Sequence, residues 1–172
     1  METKSCAILL CNPMCFPWGY DEEDERCGAL KLILMNTINF WRNDGIRSYV
    51  VPLDSGVGLY AAEILGQLRE EDPSLSLTCL VPWEQQVTKW APDLWERYFN
   101  VQARCSDVET ISAERTASCE LEAKLRAIDL TERVFAITAK EQEPLLEAAL
   151  HYARRTGKTV LVFDSDRIAF HE

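Results

Sequence analysis

The sequence predicts an α/β protein with a three-layer, Rossmann-like sandwich built on a mostly parallel sheet. Short runs of β-branched and apolar residues alternate with longer segments of helical periodicity, which is typical of βαβ units. Glycine, proline and asparagine separate these segments at short intervals. The chain has 172 residues, 47% of them hydrophobic, which is enough to bury one core. We therefore expect a single domain over residues 1–172.

The first half of the chain predicts three strands separated by two amphipathic helices. Gly45 follows the first helix at a position where a left-handed residue ends a helix. The second helix ends before Pro73, since a residue that precedes proline avoids the helical region. The predicted strands are residues 7–10, 48–53 and 75–81, and the predicted helices are residues 23–41 and 57–71. The core faces, read from helical spacing, are Cys27, Leu30, Leu34, Ile38 and Trp41, then Val57, Tyr60, Ala61, Ile64, Leu65 and Leu68.

The second half of the chain continues this alternation. One helix begins near Pro92 and another has Pro144 in its first turn, because proline suits the first helical positions. We expect Trp95, Tyr98 and Phe99 to share one face of the former. A further helix is predicted at residues 113–128, with Ala117, Leu121, Leu125 and Ile128 directed inward. The remaining strands are predicted at residues 108–111, 133–138 and 159–163, with Gly157 ending the last helix.

Composition and charge restrict the classes of function. The net charge is −10 and the cations are scattered, which argues against a nucleic acid partner because phosphate backbones need clustered lysine and arginine. No apolar run reaches the ~18 residues of a membrane helix, so no membrane partner is expected. Seven cysteines without a secretory signal predict no structural disulfides. These features predict a cytoplasmic bacterial protein.

A glycine-containing turn connects the strand at residues 48–53 to the following helix. The turn reads Asp54-Ser55-Gly56-Val57-Gly58. Its glycines allow backbone N–H groups to approach an anion at a helix start, and the Ser55 hydroxyl adds a donor. Loops after parallel strands are also where ligands bind in open α/β sheets. We therefore predict ligand contacts from Ser55, Gly56 and Gly58, with a tight connection that binds nothing as the alternative.

Two blocks of sequence resemble the YpsA-like family of the SLOG superfamily, which also contains the LOG phosphoribohydrolases and the DprA proteins. The run from Asp54 to Glu63 is similar to that family's glycine loop and Ala-Ala-Glu motif. The segment Leu80-Val81-Pro82-Trp83-Glu84-Gln85-Gln86 is similar to its strand, proline and Glu-Gln segment. The resemblance implies a Rossmann-like fold that binds a nucleotide or a nucleotide derivative. It also implies ligand contacts from Cys11 and Asn12, where the family has a motif after its first strand.

Aromatic and acidic residues lie near the same turns. Trp83, Glu84 and Gln85 follow the strand at residues 75–81, and an aromatic ring beside amide and carboxylate groups suits a base or a ribose. Glu63 lies in the second turn of its helix, and in phosphoribohydrolase relatives a carboxylate near the glycine loop helps to cleave the N-glycosidic bond. Glu63 and Glu84 are therefore the candidate catalytic residues, and solvated carboxylates are the alternative.

The cysteines suggest neither a metal nor a cofactor. Cys11 and Cys15 are separated by three residues, and Cys27 lies further along the chain. Structural zinc needs four ligands, a second pair is absent, and His151 is distant, so no metal is expected. A reactive thiol is one alternative, because a cysteine after a parallel strand can lie at a helix start. Buried, inert thiols are the simpler interpretation.

Three hypotheses follow. The first is a non-enzymatic binding or sensor module for a nucleotide-type small molecule, held between the loops that follow the first three strands. The second is a nucleoside-monophosphate phosphoribohydrolase that cleaves an N-glycosidic bond. The third is a member that has lost its ligand and acts through protein–protein contacts, with a homo-oligomer as one form. Residues 139–144 argue against a phosphate at this turn, because Glu141 and Glu143 beside a helix start repel it, and the binding module is the leading hypothesis.

Overall fold

The computed structural model of the chain describes residues 4–10, 13–53, 57–139 and 143–167. Six strands in these ranges form one sheet in which all neighbouring strands are parallel. They are β1 (Ser5–Leu10), β2 (Ser48–Pro52), β3 (Ser76–Trp83), β4 (Asp107–Ser112), β5 (Arg133–Thr138) and β6 (Thr159–Asp164). Their order across the sheet is β4-β3-β2-β1-β5-β6. The predicted α/β class and Rossmann-like arrangement are therefore confirmed.

Five helices in the described ranges cover the two faces of this sheet. They are α1 (Glu25–Asn43), α2 (Val57–Glu71), α3 (Pro92–Arg104), α4 (Cys119–Asp129) and α5 (Pro144–Arg155). α1, α2 and α3 connect strands that follow one another in one direction from β1, and right-handed crossovers place them on one face. α5 connects β5 to β6 in the opposite direction and packs with α4 on the other face. None of these helices is both long and apolar enough to cross a membrane.

The strand order reverses next to β1, whose neighbours are β2 and β5. Because all six strands run in the same direction, their carboxyl ends lie at one edge of the sheet. Ligands of open α/β sheets bind at this carboxyl edge. The described segments after β3 and β4 lie at this carboxyl edge, on the β2 side of the reversal and two or more strands away from β1.

Helix α1 has the buried face that its periodicity predicts. Its fully packed residues are Cys27, Leu30, Leu34, Ile38 and Trp41. Gly45 has a φ of +92°, so the predicted left-handed end of the helix is confirmed. The Gly45 N–H donates to the Arg42 carbonyl at 3.2 Å, and the Ile46 N–H donates to the Trp41 carbonyl at 2.9 Å. These two bonds are those of a Schellman motif, which satisfies the last carbonyls of the helix.

Helix α4 begins later than the sequence predicts. β4 remains extended to Ser112 because Ser112 pairs with Trp83 of β3, and the chain must turn before it can cross the sheet. The helix therefore starts at Cys119 rather than at residue 113. Ala117 is exposed, so its predicted inward position is wrong, whereas Ile128 is buried as predicted. The other buried residues of α4 are Cys119, Ala123, Lys124 and Ala127.

Helix α3 buries one of its three predicted aromatic residues. Tyr98 is buried with Val101, three residues later on the same face. Trp95 is 39% exposed and Phe99 is 55% exposed, so the helix face on which the sequence predicts the three aromatics is only partly buried. The helix meets the core along a narrow stripe, which leaves room for Tyr98 and not for both of its aromatic neighbours.

Two glycine substitutions should have opposite effects on stability. Gly45→Ala should lower the free energy of unfolding by about 1–2 kcal/mol, because a side chain is strained in the left-handed conformation. Gly28→Ala should raise it by about 0.5–1 kcal/mol, because alanine is the better helix former and a Cβ at Gly28 meets nothing within 4 Å. Urea unfolding of both variants measures the two effects. A neutral Gly45→Ala variant would contradict the assigned helix end.

Candidate functional site

A cavity of about 540 Å³ lies at the carboxyl edge, beside the ends of β3 and β4. Trp83 is the last residue of β3 and is half-buried, while Glu84 and Gln85 follow it and are exposed. The cavity is lined by Trp83, Glu84, Gln85, Gln86, Thr88, Lys89, Ala113, Glu114 and Arg115. The structure therefore brings three of the residues predicted from sequence into one concave site.

Pairing between β3 and β4 fixes the geometry of this cavity. Trp83 is in register with Ser112, and the Glu84 N–H donates to the Ser112 carbonyl at 3.2 Å. The chain after β4 is thereby held against the chain after β3. As a result the Arg115 guanidinium lies 5.5 Å from the centre of the Trp83 ring. Such a cation–π contact contributes about 0.5–1 kcal/mol at an exposed site.

The cavity presents charges of both signs to a ligand. Lys89 and Arg115 supply two cations, and Glu84 and Glu114 supply two carboxylates. Neither cation takes part in an ion pair with a residue that the structure describes. Both cations therefore remain able to bind an anionic group. Arg115 was not predicted from the sequence, because its position beside Trp83 depends on the pairing of two strands that are distant in sequence.

Gln86 forms the wall of the cavity and has a structural role. It is buried, and its side-chain amide donates to the Leu53 carbonyl at 3.0 Å and to the Tyr98 hydroxyl at 3.4 Å. Trp90 packs edge-on against the same Tyr98 ring, with the ring centres 5.3 Å apart. Of the two adjacent glutamines, Gln85 thus faces the solvent and Gln86 connects the end of β2 to α3.

The glycine turn is only partly described. Gly58 is buried in the first turn of α2. Ser55 and Gly56 lie outside the described residues, as do Cys11 and Asn12 after β1. Their predicted ligand contacts therefore stay predictions.

Glu63 lies outside the lining of the cavity, in a cluster of ion pairs. Arg97 of α3 donates to Glu63 of α2 at 2.7 Å and to Glu22, which precedes α1, at 3.0 Å. Lys31 of α1 also donates to Glu22, at 2.8 Å, and lies 4.4 Å from the centre of the Tyr60 ring. This ion-pair cluster ties the three helices of one face together.

The charges in this cluster are stabilised by their partners. Burial raises the pKa of Glu22, but hydrogen bonds from Arg97 and Lys31 outweigh it, and the pKa lies below its usual value. Burial lowers the pKa of Arg97, but its bonds to Glu22 and Glu63 outweigh it, and the pKa lies above its usual value. Glu22 and Arg97 are therefore both ionised at neutral pH.

The described cysteines are all free thiols. Cys27 is buried beside Tyr60, and its burial raises the pKa of the thiol, which makes it less reactive. Cys79 is buried, and a hydrogen bond shared with Cys105, together with burial, raises its pKa. Within the described ranges, no three His, Cys, Asp or Glu residues are grouped so as to hold a metal ion.

A larger cavity of about 860 Å³ lies between α5 and β6. Its lining includes four carboxylates, from Glu143, Glu147, Asp164 and Asp166, and the only cation among its described lining residues is Arg154. This excess of negative charge disfavours a phosphate. The smaller cavity at β3 and β4 is therefore the better candidate for an anionic ligand.

Comparison with known proteins gives one family. A sequence model described as the YspA SLOG family matches residues 16–169. A UPF0398 protein of Lysinibacillus sphaericus (strain C3-41) is 25% identical over 93 residues, which cover 54% of this chain and 52% of the relative. A UPF0398 protein of Bacillus cereus (strain G9842) is 24% identical over 134 residues, which cover 76% of this chain and 72% of the relative. The chain thus spans about half the length of the first relative and under three quarters of the second.

The two adjacent glutamines should differ in their effect on stability. Gln86→Ala should lower the free energy of unfolding by about 1–3 kcal/mol, because it leaves the buried Leu53 carbonyl without its donor. Gln85→Ala should change it by no more than about 0.5 kcal/mol, because Gln85 is exposed. Chemical denaturation of both variants tests this. Equal effects would show that the Gln86 hydrogen bonds contribute nothing.

The contribution of Glu22 to the free energy of unfolding should depend on pH. Because the pKa of Glu22 is lowered by folding, its contribution is complete above the unfolded pKa of about 4.3 and is lost as the pH falls below it. Glu22→Gln should therefore cost about 1–2 kcal/mol at pH 7 and much less at about pH 3.5. The measurement is urea unfolding of both proteins at the two pH values. Exposed Glu23 provides the control Glu23→Gln, which should be near neutral throughout. A Glu22→Gln effect that is equal at both pH values would rule out this ionic contribution.

Proposed function

The chain belongs to the YspA SLOG family, and on that premise we propose that it is a binding module for a nucleotide or a nucleotide derivative. The cavity beside β3 and β4 is the site of binding. A volume of about 540 Å³ lies within the range of about 300–1,000 Å³ that is usual for small-molecule pockets. The location at the carboxyl ends of parallel strands is the usual one for ligands in this class of fold.

The observation that carries the proposal is the Arg115 guanidinium over the Trp83 ring. Arg115 covers one face of the ring, and a base would stack on the opposite face; stacking on an aromatic side chain is worth about 1–3 kcal/mol. The Arg115 guanidinium and the Lys89 ammonium supply charge for a phosphate group in the same cavity. The Glu84 and Glu114 carboxylates accept hydrogen bonds from ribose hydroxyls. One cavity thus contains a partner for each part of a nucleoside monophosphate.

The position of Glu63 favours binding over hydrolysis. Cleavage of an N-glycosidic bond needs a carboxylate beside the sugar carbon that carries the base. Glu63 is bound to Arg97 and is absent from the lining of the cavity. Glu84 is exposed at the rim. We therefore expect a bound nucleoside monophosphate to be recovered intact, without release of free base.

Binding should depend on Trp83 and Arg115 in different ways. In calorimetric titration against a panel of nucleoside monophosphates and their nucleosides, Trp83→Ala should weaken binding of both about 5- to 150-fold, as expected for the loss of a stacked base. Arg115→Gln should weaken the binding of the monophosphates and leave the binding of the nucleosides nearly unchanged, because it removes a positive charge but no stacking surface.

Two matched variants serve as controls for that titration. Trp95→Ala removes an exposed tryptophan of α3, and Arg126→Gln removes an exposed arginine of α4, and neither residue lines the cavity. Both variants should bind as the wild type does. Failure of every compound to bind, or wild-type affinity in Trp83→Ala, would refute the proposed site. Chromatography of the titrated samples for free base tests the phosphoribohydrolase hypothesis directly.

A further inference from the structure

The two edges of the sheet are protected differently. β4, at one edge, carries the charged residues Asp107 and Glu109, and Glu109 is paired with Arg126 at 3.0 Å. β6, at the other edge, reads Thr-Val-Leu-Val-Phe-Asp and has no charge before Asp164. Exposed edges of soluble proteins usually carry charges or other features that prevent pairing with another strand. In β6, as the structure describes it, such protection is missing over five residues.

The backbone of β6 has a defined orientation. The N–H of Thr159 donates to the Glu132 carbonyl at 3.3 Å, so Thr159 directs its N–H toward the neighbouring β5 segment. Because successive residues of a strand direct their backbone groups to opposite sides, Val160 and Val162 present their N–H and C=O groups to the open edge. An antiparallel strand that pairs with this edge must therefore place its own outward-facing residues opposite these two valines.

We propose that the β6 edge binds a second copy of this chain, in an antiparallel pair centred on Leu161. About this centre, Val160 lies opposite Val162 of the partner subunit, so outward-facing residues meet as the hydrogen-bond pattern requires. The same centre places Lys158 opposite Asp164 of the partner subunit, and each such pair occurs twice. In the single chain the Lys158 Nζ donates to the Thr131 carbonyl at 2.6 Å, and the pairing with Asp164 replaces this bond.

The alternative centres lack this complementarity. With Val160 at the centre, Lys158 faces Val162 of the partner subunit. With Val162 at the centre, Val160 faces Asp164 of the partner subunit. Only the centre at Leu161, among these three, matches both the apolar and the charged residues. Since each copy has a net charge of −10, an uncharged strand with a balanced pair at its ends reduces the repulsion between two copies at this edge.

The side chains on the other side of the strand also favour this contact. Leu161 is in register with Phe135, which packs edge-on against Trp41 of α1, so Leu161 extends to the α1 face of the sheet. There it is 50% exposed, although it lies in the interior of a strand. At the two-fold axis it contacts Leu161 of the partner subunit. The proposed dimer thus buries an apolar side chain that the single chain leaves half in water.

The oligomeric state in solution tests the proposal. Light scattering of the wild-type chain at about 50 µM, a concentration well above a micromolar dissociation constant, should give twice the mass of one chain. Leu161→Glu should give a monomer, because it places two like charges together at the axis. Val108→Glu, on the opposite edge where Val108 is also exposed, should remain a dimer. A monomeric wild type, or a Leu161→Glu variant that is still dimeric, would overturn the proposal.

Exchanging the two charges tests the proposed register of the β6 pair. The test compares a mixture of two variants with each variant alone, so a loss of dimer in one variant does not by itself decide the outcome. Lys158→Glu alone and Asp164→Lys alone should each be largely monomeric, since each places like charges opposite each other. A mixture of the two variants should form a mixed dimer. In that dimer the introduced carboxylate of one chain faces the introduced ammonium of the other, and the unchanged Asp164 of the first chain faces the unchanged Lys158 of the second. A mixture that stays monomeric would rule out this register.

Two controls accompany the exchange. Circular dichroism should show both variants folded, although Lys158→Glu also loses the bond from Lys158 to the Thr131 carbonyl. The cavity at β3 and β4 is at the far side of the sheet, so nucleotide binding should be unchanged in Leu161→Glu. The proposed dimer and the proposed binding site therefore fail independently.

Discussion

The parallel alignment of all six described strands is the constraint on which the other features depend. It requires a crossover between each pair of successive strands, and it brings the carboxyl ends of the strands to one edge of the sheet. The register between β3 and β4 then determines the geometry of the candidate site, because it holds the segment with Arg115 against Trp83. The same alignment leaves β6 at the end of the sheet with its outer groups facing outward. The candidate ligand site and the candidate contact surface therefore lie at opposite edges of a single hydrogen-bonded sheet.

The sequence predicts much of the fold wherever a helix buries only one of its faces, because the apolar residues then recur at helical spacing. The stripe of α1 and its end at Gly45 follow from local spacing, and both are confirmed. The start of α4 was mispredicted because Ser112 stays extended through a pairing with a distant strand, which no local pattern reveals. The sequence did not show that Tyr98 is buried while Trp95 and Phe99 stay exposed, because hydrophobicity alone does not tell which aromatic residue a narrow interface accommodates.

The residues of the candidate site that follow β3 could be predicted from the sequence, but the residues that complete its cavity could not. Trp83, Glu84 and Gln85 were identified because residues after parallel strands meet at one edge, whereas Arg115 required the tertiary structure. The sequence also did not distinguish Gln85 from Gln86, since burial depends on which side chain faces Leu53 and Tyr98. Glu63 was chosen for its proximity to the glycine turn, and its carboxylate instead binds the Arg97 guanidinium.

The hydrogen bonds of Gln86 have a mechanical consequence. One amide group joins the cavity wall to Leu53, the last described residue before the glycine turn, and to Tyr98 in α3. Displacement of Gln86 relative to Leu53 or Tyr98 breaks a buried hydrogen bond, which costs about 1–3 kcal/mol. Gln86 therefore couples the position of the cavity wall to the end of β2 and to α3, so that a change in the position of the wall strains both.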